Sequence, residues 1–247
     1  MPPRPNLFGQ RKHATAAIAA FVIIAFPTRL HAAGGAFVVD DAQITAPNTC
    51  QVESWISFAR NRDFAGVATP ACTVDLGRPI ELSAQLQRSR TIGIWSSLVT
   101  LQAKTIFQPV EIGKVGFGLA AGATFDPIHQ HHTHSYAYVP ATFAILEDFR
   151  INANVGWLHD QIADLHWLTG GASIEWNFVK PLTLLVEIFG QAGHRPIHLP
   201  SLADPRVQAG LRFTPIDTLD IDLIYGHNIT GVPTHWITIG LNVRFGG

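Results

Sequence analysis

Trp236-Ile-Thr-Ile-Gly-Leu-Asn-Val-Arg-Phe245 decides how this chain is read. Ile237, Ile239, Leu241, Val243 and Phe245 share one side of an extended backbone, and Trp236, Thr238, Gly240, Asn242 and Arg244 share the other. Just upstream, Leu219, Ile221, Leu223 and Tyr225 alternate with Asp220, Asp222 and Gly226. Val207, Ala209, Leu211 and Phe213 alternate with Gln208, Gly210 and Arg212. A period of two means strands with one apolar and one polar face. A soluble sandwich turns the apolar face inward, whereas a transmembrane barrel turns it toward lipid and lines its lumen with the polar one. Alternation by itself does not choose between them.

Working back toward the N-terminus, the same pattern marks strands over 182–189, 168–177, 150–157, 115–122, 96–105, 80–87 and 51–59. Residues 135–146 form a further strand of ambiguous facing, and 67–74 a weaker one interrupted by Pro70. The expected total is twelve, an even number of segments near the length that crosses a bilayer as a tilted strand. The connections sort by length. Those at 75–79, 147–148, 179–181 and 215–217 are short, and those at 126–134, 159–166, 191–205 and 227–235 are long. Short turns at one end and long loops at the other are expected of an outer-membrane barrel with its turns in the periplasm. A sandwich has no reason to sort its loops this way. The reading is therefore all-β: an antiparallel transmembrane barrel of about twelve strands, located in the bacterial outer membrane.

Composition agrees. Of 247 residues, 47% are hydrophobic and only 14% charged, well below the quarter usual for a soluble domain. Beyond the N-terminal segment no apolar run is long enough for a spanning helix, so a membrane protein of this sequence must cross as a closed sheet. Residues 1–33 have the form of a secretory signal: Arg4, Arg11 and Lys12 precede the apolar run 14–26, and Ala32 offers a small residue for cleavage. Residues 34–49 then read as a periplasmic lead-in and 50–247 as the barrel. Without the signal, thirteen Lys and Arg remain against eighteen Asp and Glu, a net charge of −5 that is no nucleic-acid footprint. Cys50 and Cys72 lie equally far from Asn61 in a polar turn, which sets them opposite one another and suits a disulfide at the base of that hairpin in an oxidising compartment. Two buried free thiols are the alternative.

On the barrel reading, Glu53, Glu81, Lys104, Arg150, Glu175, Glu187, Arg212, Asp220, Asp222 and Arg244 face the lumen. The tight turn at 215–217 predicts Arg212 opposite Asp220, and closure of the last strand on the first brings Arg244 toward Glu53. Such charges either select a solute or satisfy one another. Several segments also carry a family resemblance: Phe37-Val-Val-Asp-Asp41, Cys50-Gln-Val-Glu-Ser-Trp55, Val186-Glu-Ile-Phe-Gly190, Gln208-Ala-Gly-Leu-Arg-Phe213, Leu219-Asp-Ile-Asp-Leu223 and Trp236-Ile-Thr-Ile-Gly240. On these the chain resembles the proteobacterial outer-membrane barrels named for the meta-cleavage pathway of phenol degradation, which are described as transporters. The resemblance spans about residues 36 to 245. It implies fold and location, and no binding motif comes with it. Barrels of that kind commonly end on an aromatic residue, whereas here Phe245 is followed by two glycines.

Catalysis has little to stand on. Asp126, His134 and Ser135 are near one another in sequence, but no Gly-x-Ser-x-Gly elbow accompanies them, and the chain is expected not to be an enzyme. The histidines carry more. All ten beyond residue 33 fall in or beside the expected long loops. His129, His131, His132 and His134 lie within six residues, and His194 and His198 are candidates to join them in holding zinc, copper or nickel. In an extended stretch His129 and His131 share a side, as do His132 and His134. Isolated loop histidines are the alternative. The expected function is a channel or transporter for a small solute with a His-rich rim, and the runner-up is a non-conducting barrel whose loops bind metal or a surface partner. Its other partners are then membrane lipid and, during biogenesis, the outer-membrane assembly machinery.

Overall fold

The computed structural model describes residues 36–193, 205–229 and 234–246. The proposed signal, His194 and His198 lie outside them. Twelve antiparallel strands follow one another: β1(Cys50–Ala59), β2(Phe64–Asp75), β3(Pro79–Thr91), β4(Ile94–Gln108), β5(Val115–Asp126), β6(His131–Ala144), β7(Phe149–Asp160), β8(Leu165–Val179), β9(Leu182–Gly193), β10(Arg206–Ile216), β11(Leu219–Asn228) and β12(His235–Phe245). Each pairs with its neighbours in sequence. β12 also pairs with β1 from Cys50 opposite Phe245 to Ala59 opposite Trp236, closing the barrel. Pro70 does not break β2. It sits opposite Val52 of β1, while the pairs toward β3 stop at Ala68 and resume at Ala71 in the same register.

The barrel is inside out. Leu82, Leu101, Leu119, Val155, Leu168, Ile188, Leu211 and Ile239 are exposed on the outer wall, and Lys104, Glu175, Glu187, Arg212, Asp220 and Asp222 are buried. In water this would forfeit the main driving force for folding; against lipid it is the favourable arrangement. Aromatic side chains mark both edges of the apolar belt. Phe107, Phe117, Trp176, Phe213 and Phe245 point outward near the end that carries the short turns, and Phe58, Trp95, Phe125, Trp157 and Tyr225 near the other. Such girdles sit where a transmembrane barrel meets the headgroups. The fold is that of an outer-membrane barrel.

Three expectations are corrected. The connections after Asp126 and Asp160 are four-residue turns, at 127–130 and 161–164, because β5 to β8 run on past the expected loop boundaries. The longest connection, 194–205, does lie at the loop end. Second, the turn falls at 217–218 rather than 215–217, and together with a one-residue register irregularity between Phe213 and Ile216 this sets Arg212 opposite Asp222 rather than Asp220. Third, the lead-in is not in the periplasm. It runs inside the barrel, where Phe37, Val39, Asp41 and Ala42 are buried.

Candidate functional site

The lumen is built around its own lead-in. Next to Cys50 the chain pairs with β2, Asn48 N–H donating to the Thr73 carbonyl at 2.9 Å and Thr73 N–H to the Thr49 carbonyl at 3.1 Å. From there residues 45 to 36 run into the interior, and polar side chains of the wall take up their backbone groups. Thr45 N–H donates to Glu81 Oε2 at 3.0 Å and Ala42 N–H to Thr142 Oγ1 at 2.8 Å. Asp40 and Asn154 bond reciprocally, N–H to Oδ1 and Nδ2 to carbonyl, both at 2.7 Å. Val38 and Val39 N–H each reach one oxygen of Glu187 at 3.0 Å. A buried backbone must find such partners, and here the wall supplies them where a sheet neighbour would otherwise be needed.

Side chains complete the contact. Lys104 Nζ pairs with Asp40 at 2.7 Å, and Tyr138 donates to the same carboxylate at 2.7 Å. Arg150 lies 3.7 Å from Asp41 and donates to Gln43 at 3.0 Å, while also forking onto Glu175. Phe37 packs with Leu185 and Ile224 and lies under the Arg212 guanidinium. Space for this apolar end comes from glycines. A Cβ on Gly171 would come within 2.7 Å of Val39, and one on Gly210 within 3.1 Å of Phe37.

The other charges settle with each other. Arg212 holds Asp222 through Nε and Nη2 at 2.8 and 2.9 Å, a bidentate fork. Arg244, opposite Gln51, reaches Asp220 rather than Glu53, and Thr214 donates to Asp220 at 2.7 Å. Glu53 lies beside the lead-in, which plugs the lumen, and lines one space with Val38 and Asp40. It lies in register between Asn242 and Thr69, whose polar side-chain atoms are buried without hydrogen-bond partners among the described residues. Of the expected lumen residues, Glu81, Lys104, Arg150, Glu175, Glu187, Arg212, Asp220 and Asp222 are buried, and they hold the plug or balance one another.

Among the described residues, two of the spaces beside the plug stand out. One of about 150 Å³ lies toward β1–β4 among Glu53, Trp55, Glu81, Gln85, Gln102 and Lys104. The other, of about 350 Å³, lies toward β6–β9, where Tyr136 and Tyr138 stack at 6.2 Å. Parity in the sequence finds most of their lining. It does not show that Asp40 and Phe37 share it, because an irregular segment has no periodicity to place it.

The histidine tract does not form one centre. His129 Nδ1 is bonded to Asp126 at 2.8 Å, and the His129 and His131 rings are 6.0 Å apart. An irregularity after Thr124 leaves Thr133 as an extra residue, so His134 faces Thr124 and Asp160 while His132 stacks on outward Phe125. His132 and His134 therefore do not share a side. His159 and His166 on β7 and β8, and His227 and His235 on β11 and β12, instead form stacked cross-strand pairs.

Among solved structures the chain is similar to the NanC porin, with a TM-score of 0.63 and 8% identity over 78% of this chain and 98% of that one. It is similar to the KdgM porin in complex with disordered oligogalacturonate, with a TM-score of 0.59 and 10% identity over 79% and 99%. The COG4313 outer membrane channel from Pseudomonas putida F1 gives 0.60 and 10% over 83% and 98%. At these identities the likeness is one of fold. No curated protein matches the sequence. Residues 21–245 match the family described as uncharacterised conserved protein UCP029691, and the chain belongs to that family.

Proposed function

We propose that the barrel is a passive channel for a small polar solute that passes beside the docked lead-in on the β1–β4 side. The observation that carries this reading is the polar space left there, lined by Glu53, Glu81, Gln85 and Gln102. Its one cation among the described lining residues, Lys104, is paired with Asp40. Carboxylates thus outnumber cations along the passage, which favours neutral or cationic solutes over anions. Solved porins of similar fold support transport in general terms, as does the resemblance to the meta-cleavage-pathway barrels on the segments quoted above. The oligogalacturonate of the KdgM complex is a property of that protein.

Residues 1–33 act as the export signal on this reading, and the assembly machinery inserts the barrel. The test is solute flux into liposomes carrying the folded protein. Small neutral and cationic solutes are expected to enter, and Glu53→Gln is expected to lower cation preference without unfolding the barrel. A second reading, a non-conducting barrel, is favoured by the number of wall side chains committed to the plug. Liposomes impermeable to every small solute would establish it in place of the channel.

A further inference from the structure

On the outer wall at the loop end, the β7–β8 hairpin gathers three metal-ligating side chains. His159 and His166 are directly opposite in register, with rings 4.3 Å apart and 12° from parallel. Asp164 ends the turn between them at a φ of 51°, and its Oδ1 lies 3.2 Å from His159 Nε2. One ligand atom from each of the three lies within 4.8 Å of the others. Among the described residues no other trio of His, Cys, Asp or Glu converges in this way.

We propose that His159, Asp164 and His166 form a divalent transition-metal site on the outer rim of the barrel. Two imidazoles and one carboxylate are a donor set suited to zinc, copper or nickel, and a trio open on one side leaves positions for water or an outside ligand. The scaffold favours it. Both histidines stand on paired strands rather than on a loose loop, so their separation is fixed by the ladder. The proposal does not depend on whether the lumen conducts.

The neighbours say what binding must change. Gln161 Nε2 donates to His159 Nδ1 at 2.8 Å, and Trp157 Nε1 donates to His166 Nδ1 at 3.1 Å. Both Nδ1 atoms are therefore acceptors, which places the ring protons on Nε2 in the neutral histidines, that of His159 directed at Asp164. A metal bound at Nε2 of His159 moves that proton to Nδ1, and the Gln161 amide turns over to accept it. A metal bound at either nitrogen of His166 breaks the Trp157 hydrogen bond: at Nδ1 it replaces the indole, and at Nε2 it puts a proton on Nδ1 facing another donor. The Trp157 ring stacks on both imidazoles at 6.0 and 5.7 Å, so its fluorescence reports on the site.

The β11–β12 hairpin supplies a built-in comparison. His227 and His235 stack at 4.6 Å, and the Tyr225 hydroxyl bonds His235 Nδ1 at 2.7 Å, but no carboxylate completes a trio there among the described residues. If a stacked histidine pair were enough, both hairpins would bind alike; the proposal requires that they do not.

The experiment titrates the folded full chain in detergent with copper or nickel chloride. It follows metal bound per chain by equilibrium dialysis and emission from tryptophan, with a heat-modifiability gel confirming that each variant is folded. Parent protein is expected to bind with quenching, and Trp157→Phe to bind while losing most of the quench. His166→Ala is expected to weaken binding at least tenfold. Asp164 is almost fully exposed, so Asp164→Asn leaves the fold alone, and a several-fold loss is expected from it even if His166→Ala does not fold. The alanine variant of His129, His131, His132 and His134 and the variant His227→Ala/His235→Ala are expected to bind like the parent. Parent-like binding by Asp164→Asn and folded His166→Ala, or loss of binding in either comparison variant, would overturn the proposal.

Discussion

Glu187 is the residue on which the plug turns. Its two oxygens accept from consecutive backbone N–H groups of Val38 and Val39, and Gln208 donates to it at 2.7 Å. Glu187→Gln replaces one acceptor by a donor facing a buried N–H, which costs about 1–3 kcal/mol of docking. The measurement is thiol labelling of Val39→Cys in the folded barrel: slow in the parent background and about five- to 150-fold faster with Glu187→Gln, since each 1.4 kcal/mol is tenfold. Labelling already fast in the parent background would show that the plug is not docked. The paired charges give a second prediction. Asp222→Ala removes both bonds of the Arg212 fork and leaves Asp220 at 4.0 Å, a loss of about 3–5 kcal/mol in a buried setting. Asp220→Ala acts on the more exposed Arg244 and is expected to cost less, both read by urea unfolding in detergent. The inward set was legible from parity alone. The partner of Arg212 was not, because the turn falls at 217–218 rather than 215–217 and a period of two does not fix where a strand turns.

At the scale of the element, the β1–β2 hairpin shows what chain symmetry can and cannot tell. Cys50 and Cys72 are opposite in register and bonded. Denatured, unreduced protein is therefore expected to show no reactive thiol, and the bond to contribute roughly 3 kcal/mol by the chain-entropy estimate. Two labelled thiols per chain would contradict the bond. That hairpin was legible because its turn is short and symmetric about Asn61. The β5–β6 hairpin was not, since Thr133 inserts an extra residue and turns neighbouring histidines to different faces. Length of a polar stretch misled as well: the histidine-rich segments read as loops, yet His131, His132, His134, His159 and His166 stand in strands. Imidazole at the rim of a barrel is compatible with the ladder, and polarity there is no sign of irregular backbone.

For the whole molecule, the alternation that opens toward lipid and the even strand count made the barrel legible before its coordinates. The occupied lumen was not, because residues 36–49 have neither period nor composition that distinguishes a segment inside from one outside. What ties the segment to the wall is one-to-one satisfaction of backbone groups by Glu81, Thr142, Asn154 and Glu187, which exists only in three dimensions. On the proposed function, this segment narrows a conducting barrel. Single-channel recording in planar bilayers tests it, comparing the parent with a variant in which residues 37–42 are replaced by a Gly-Ser stretch of equal length. The parent is expected to conduct weakly with preference for cations, and the variant to conduct several-fold more with that preference reduced. Silence from both folded proteins, or equal conductance in the two, would contradict it.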